Sequence, residues 1–163
     1  MSHESSCAIC EDNDRRRCSG VWKPGPWMDE PDRVEFEAHG LPCILHRNAF
    51  GAWCGYAAVP PGHPWHGKDY DGLGQGISVH GGLTYASTCD GHICHVAKPG
   101  QPDDVWWFGF DCNHAFDFAP SGGGGLSWPM EDVLLGTRRG SYRDLAYVRE
   151  QTESLAKQLS ERR

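Results

Sequence analysis

The stretch WWFGFDCNHAFDF, residues 106 to 118, sets Asp111, His114 and Asp117 among two Trp and four Phe. Buried charge is costly unless it is paired, hydrogen-bonded or bound to a metal. Two carboxylates and an imidazole in so apolar a segment therefore point to a site. A carboxylate and an imidazole three residues apart on a turn can both reach one metal ion or one water. If His80, Asp111 and His114 hold zinc with one position open, the bound water becomes a nucleophile at neutral pH. The chemistry expected is metal-dependent hydrolysis of a small phosphorylated or nucleotide-like substrate. Asp117 then either orients His114 or is itself a ligand.

The elements that must position these residues read as strands. ISVHGGLTYAS (77–87) and VWWFGFD (105–111) both follow period two. Paired antiparallel, they would turn Val79, Leu83 and Tyr85 to the core together with Trp106, Phe108 and Phe110. The opposite face would gather His80, Thr84 and Asp111 around a floor of Gly82 and Gly109, with Trp107 as a stacking wall. Glycine inside a strand marks close approach by something else, here a ligand or the C-terminal helix. His63, His66 and Asp69, on the loop PPGHPWHGKDYDGLGQG (60–76), are expected to complete the site.

The same residues without chemistry would make a pocket. A non-catalytic module that captures a host protein or a signalling nucleotide is the competing reading. A third is a structural protein whose zinc is held by thiols. Cys7, Cys10 and Cys18 suggest a zinc knuckle completed by His3 or Cys43, or else a ragged tail with incidental thiols. CDGHICH (89–95) is too tightly spaced for a structural zinc loop. Cys112 sits beside bulky aromatics, where thiols are usually inert. GLGQG (72–76) lacks the Lys-Ser/Thr that follows a phosphate loop.

Composition narrows the class. A chain of 163 residues is long enough for one domain with a real core, and 39% apolar content with seven Trp excludes disorder. A net charge of -7 argues against non-specific binding to nucleic acid or anionic membranes. No apolar run approaches a membrane span, and MSHESSCAIC lacks a basic-then-apolar signal. The expectation is a soluble, cytoplasmic protein whose eight Cys are thiols or metal ligands rather than disulfides.

The predicted fold is α+β, with an antiparallel sheet of about five strands and one long C-terminal helix packed on it. Residues 1–32 read as a polar tail and a Pro/Gly-rich lead-in with its Trp side chains tucked in, the first twenty being dispensable. Residues 33–163 form a single domain. RVEFEAHG, LPCILHRN and AFGAWCGYAAVP supply a meander. Leu145, Val148, Thr152, Leu155 and Leu159 form the stripe of a helix near 141–160, with Ser141 and Asp144 at its start and a Glu153–Lys157 pair. SGGGGLSWP after Pro120 is expected to be a flexible insertion.

The phrases GYAAVPPGHPWHGKDYD, VHGGLTYA, VWWFGFDCNHAFD and YRDLAYVREQTESLAKQL resemble a family of small proteins of unknown function encoded by bacteriophages and prophages, notably of actinobacteria. The resemblance covers roughly residues 40 to 160. It implies a protein of the host cytoplasm made during infection or lysogeny, and carries no activity with it.

Overall fold

The computed structural model describes residues 8–20, 22, 24–73, 76–95, 97–121 and 140–162. Five strands form one antiparallel sheet in the order β1-β2-β3-β5-β4: β1 Arg33–Ala38, β2 Leu41–Arg47, β3 Trp53–Val59, β4 Tyr85–Ser87 and β5 Trp106–Asp111. Helix α1 spans Ala8–Cys18 and helix α2 spans Leu145–Ser160. The α+β architecture with a C-terminal helix on the sheet is as the periodicity predicts.

The first hairpin is closed by His39 and Gly40, both at positive φ (51° and 75°), which suits the two-residue turn that matches strand twist. β2 and β3 then pair from Cys43↔Ala57 to Arg47↔Trp53, and β3 pairs β5 from Cys54↔Asp111 to Val59↔Trp106. Because pairing residues share a face, one side of the sheet carries Leu45, Ala57, Phe108 and Phe110, and α2 covers it with Val148, Leu155, Ala156 and Leu159. Gly55 lets the helix settle, since a Cβ there would collide with Thr152 Oγ1 and the Phe110 ring. Asp144 caps α2 by accepting from the Tyr147 N–H at 2.8 Å. Ser141 lies instead in a short strand, β7 Ser141–Tyr142, parallel to β6 Asp117–Phe118. On the helix surface Arg149 pairs with Glu153 at 3.1 Å, in place of the expected Glu153–Lys157 pair.

The opposite face of the sheet holds a smaller cluster of Ile44, Ala58, Ile93, Val105 and Trp107, flanked by Tyr56 and Tyr85. No helix of the described residues covers it. A hairpin over 89–94 does so in part, closed by an Asp90–Ile93 bridge and a Cys89–Cys94 disulfide. The disulfide corrects the expectation that the cysteines are all thiols or metal ligands.

The domain begins earlier than residue 33. Trp22 and Trp27 are buried, as their place in the lead-in suggests. Beyond them, the Glu30 carboxylate accepts from Trp53 Nε1 (3.1 Å), the Tyr142 hydroxyl (2.9 Å) and the Leu145 N–H (2.6 Å). Arg47 is fully buried and reaches Asp32 (3.1 Å), the Gly51 carbonyl (2.6 Å) and the Tyr142 hydroxyl (3.0 Å). A buried guanidinium is tolerable because its donors are met this completely. Trp22 and residues 24–32 thus belong to the folded unit rather than to a lead-in. His3 and Cys7 of the supposed zinc knuckle lie outside the described residues, as does the Cys10 side chain. Cys18 is exposed and free, whereas Cys43 is buried under α2 and cannot join it. Residues 122–129 of the glycine-rich insertion SGGGGLSWP also lie outside them. No helix of the described residues is long and apolar enough to cross a membrane.

Candidate functional site

His80 is not on a strand. Residues 76–84 run as turn and irregular chain, and only 85–87 pair with β5. Gly81 and Gly82 both have positive φ (68° and 81°), a conformation that breaks the extended run the alternation suggests. His80 therefore arrives from a turn, not from a shared strand face. It still lies beside His114, with ring centroids 5.7 Å apart.

What His80 grips is Asp117. Its Nε2 lies 2.7 Å from Asp117 Oδ2, and its Nδ1 lies 2.9 Å from the Tyr147 hydroxyl. A carboxylate only accepts, so in the neutral ring Nε2 carries the proton and Nδ1 accepts from Tyr147. Asp117 also accepts from the His114 backbone N–H and from Arg143 Nε, each at 3.0 Å. The parallel β6–β7 pairing places Arg143 next to Asp117. Burial alone would raise the Asp117 pKa, but the hydrogen bonds from His80, the His114 N–H and Arg143 outweigh it and hold it below the usual carboxylate value. This carboxylate is a structural hub.

Asp111 and His114 stand on the other side of His80's contact. Asp111 ends β5 on the face away from α2 and accepts from the Asn113 N–H at 3.0 Å and the Thr84 hydroxyl at 3.1 Å. His114 Nε2 sits 3.6 Å from Asp111 Oδ1, beyond hydrogen-bond range but within that of an ion pair when protonated. Its ring packs where a Cβ on Gly81 would be, so that glycine makes room for His114 rather than for a ligand. Thr84, Asp111 and His114 line an open cleft of 470 Å³ together with Tyr56, Tyr85 and Asn113.

Several expected members are elsewhere. Trp107 is fully buried, its ring edge-on to His95 at 5.4 Å, so it offers no stacking wall. Gly109 lies between Tyr56 and Tyr85 in register, and a Cβ on it would collide with the Tyr56 ring. The floor it was expected to leave for a ligand is filled by that ring. Gly82 serves the turn, and a Cβ on it would meet nothing within 4 Å. His63 donates from Nε2 to the Leu159 carbonyl at 2.9 Å, at the far end of α2, about 18 Å along the helix from Tyr147. His66 donates to the Asp104 carbonyl at 2.9 Å, and Asp69 is exposed beside a single turn at 70–72. Neither these nor His63 belongs to the cleft.

His80 is turned to Asp117 and Tyr147 rather than to a point shared with Asp111 and His114. Both His80 nitrogens are engaged, and no three His, Cys, Asp or Glu side chains among the described residues converge on one point. Tyr85 lies in the cleft beside Tyr56, across from Gly109, and not on the core face to which alternation assigned it. Residues that the sequence did not single out include Tyr56 and Asn113 in the cleft, and Tyr147 and Arg143 behind it. Strand alternation could have found Tyr56, which shares a face with Asp111 through Cys54↔Asp111 and Tyr56↔Gly109. No family model, curated protein or solved structure matches this chain.

Proposed function

We propose that this chain is a binding module that takes a small polar ligand in the cleft formed by Tyr56, Thr84, Tyr85, Asp111, Asn113 and His114. The observation that carries the reading is the 470 Å³ cleft into which Asp111, Thr84 and His114 are drawn together. Polar groups converging on a concave surface with aromatic walls are the usual make-up of a ligand site. The alternative of zinc-dependent hydrolysis is less well supported, because His80 has no free nitrogen to give a metal. The phage-type phrases fit an accessory protein that captures a compound of the host cytoplasm.

The test pairs metal analysis with ligand binding. Wild type, Asp111→Asn and His114→Ala would be compared for bound metal by mass spectrometry, and for binding of a chemically mixed fragment library by protein-observed NMR. The expected result is metal content that does not depend on either residue, together with fragments that shift cleft amides in wild type and bind Asp111→Asn at least about tenfold more weakly. Stoichiometric zinc lost in both variants would restore the hydrolase instead.

A further inference from the structure

A second cleft, of 310 Å³, adjoins the first and shares Asn48, Cys54, Tyr56 and Tyr85 with it. Its far wall is the disulfide-closed hairpin, through Asp90 and His92. Among the described residues lining the two clefts there are two carboxylates, Asp111 and Asp90, and no lysine or arginine. Arg33, which pairs with His46 at the groove's edge, is spent on Glu35 and on the carbonyls of His92 and Cys94. Burial, then Arg33 and His92, lower the His46 pKa to about 4, so that imidazole is neutral at ordinary pH. The groove therefore carries no fixed cation to meet a phosphate.

Asp111 has capacity to spare. Its oxygens offer roughly four acceptor sites. Within the protein they receive the Asn113 N–H and the Thr84 hydroxyl, and the side chain remains 30% exposed. Asn113 Oδ1, in the same wall, has no hydrogen-bond partner in the protein. Between the two carboxylates Tyr56 and Tyr85 meet edge to face at 5.3 Å, above a strand glycine that gives them room. Burial raises the pKa of both phenols, which stay uncharged. Neutral tyrosine rings between carboxylates suit a flat cation.

Building on the binding-module reading, we propose that the two clefts form one groove for a planar aromatic cation of the amidinium or guanidinium class. Its N–H fork would engage Asp111, and its ring would lie across Tyr56 and Tyr85 toward Asp90. A phosphorylated or carboxylate ligand is disfavoured by the same charges.

The test uses three isosteric probes on the full chain: benzamidine (cation), benzamide (neutral) and benzoate (anion), each titrated while backbone amides are followed by NMR. Benzamidine is expected to saturate shifts at Thr84, Tyr85, Asp111 and His92 together, and benzoate to bind at least about tenfold more weakly. Asp111→Asn should lose benzamidine by a similar factor. If that variant fails to fold, Asp90→Asn is expected to weaken benzamidine at least about threefold at lower ionic strength, with less effect in high salt. Benzoate binding as tightly as benzamidine, or benzamidine binding unchanged by these variants, overturns the cation assignment. Cleft shifts from other fragments with none from benzamidine overturn it too and leave the binding module standing. A cleft that no compound of any class perturbs removes both.

Discussion

The His80 imidazole and the Asp117 carboxylate meet at 2.7 Å, with Asp117 only 2% exposed. That contact answers why a carboxylate lies in so aromatic a segment. Asp117 fastens the turn at 80, the backbone at 114 and Arg143 ahead of α2 to one point. Asp117→Asn is expected to cost about 3 kcal/mol, because it leaves buried donors without their charge partner. Asp111→Asn, at a partly exposed site, should cost less than about 1 kcal/mol. Urea unfolding of both variants checks this; equal losses would mean that Asp117 is not the hub. Because the folded pKa of Asp117 is lowered, its contribution is present above the ordinary carboxylate value and fades as pH falls through the folded one.

His46 gives a second acid sensitivity, in a higher window. Burial, with Arg33 and His92, takes its pKa from 6.5 to about 4. Between those values the unfolded chain binds a proton that the folded chain does not, so stability falls as pH drops from 6.5 toward 4. This one group should make the protein about 2 kcal/mol less stable at pH 5 than at pH 7. His46→Gln should flatten the slope between those pH values in chemical denaturation. A slope unchanged in the variant would assign the sensitivity to other groups.

The helix and the first three strands were legible because their patterns depend only on local period. The stripe buries Val148, Thr152, Leu155 and Leu159 as its spacing demands, with Ala156 added and Leu145 partly buried. The irregular course of 77–84 was not legible, since alternation survives in the letters while Gly81 and Gly82 turn the chain out of a strand. His80 thus came close to His114 by a route that period two does not describe. The meaning of Gly109 was also hidden. A glycine signals close approach, but only the pairing of β3, β5 and β4 identifies the visitor as Tyr56. Thr84 and Asp111 are joined by a hydrogen bond and not by the shared strand face that alternation suggests.

The Gly109 position offers a separate check on the cleft's walls. Gly109→Ala should displace the Tyr56 ring and cost about 1 to 3 kcal/mol as overpacking. It should also weaken any ligand that rests on Tyr56 and Tyr85. Gly82→Ser, where space is open but φ is positive, should cost about 1 kcal/mol through backbone strain. Thermal unfolding ranks the two, and the reverse order would mean that the Tyr56 ring yields freely.

The disulfide hairpin should respond to reductant locally. Cys89 and Cys94 close a short loop, whose cross-link is worth about 2 kcal/mol to that segment. Hydrogen exchange with and without reductant is expected to show faster exchange at 89–94 and little change in β2, β3 and β5. Global loss of protection would contradict a hairpin that merely walls the groove.

One truncation and one substitution probe the amino-terminal boundary. Removing residues 1–12 should leave stability nearly unchanged, whereas Trp22→Ala should cost about 3 kcal/mol or more, because Trp22 is 1% exposed and stacks against Arg17 and Arg47. Differential scanning calorimetry of the two proteins checks this; little loss from Trp22→Ala would contradict a folded unit that takes in Trp22 and the Arg17–Asp32 pair.

Crystallographic fragment soaking would locate a ligand in the cleft, since it reports where a compound sits and what it touches. Fragments are expected between Tyr56 and Tyr85 with polar contacts to Asp111, Thr84 or His114, and with the His80–Asp117 contact intact. Fragments found only at other surfaces, or a metal ion seated on a freed His80 with Asp111 and His114, would contradict the binding-module reading.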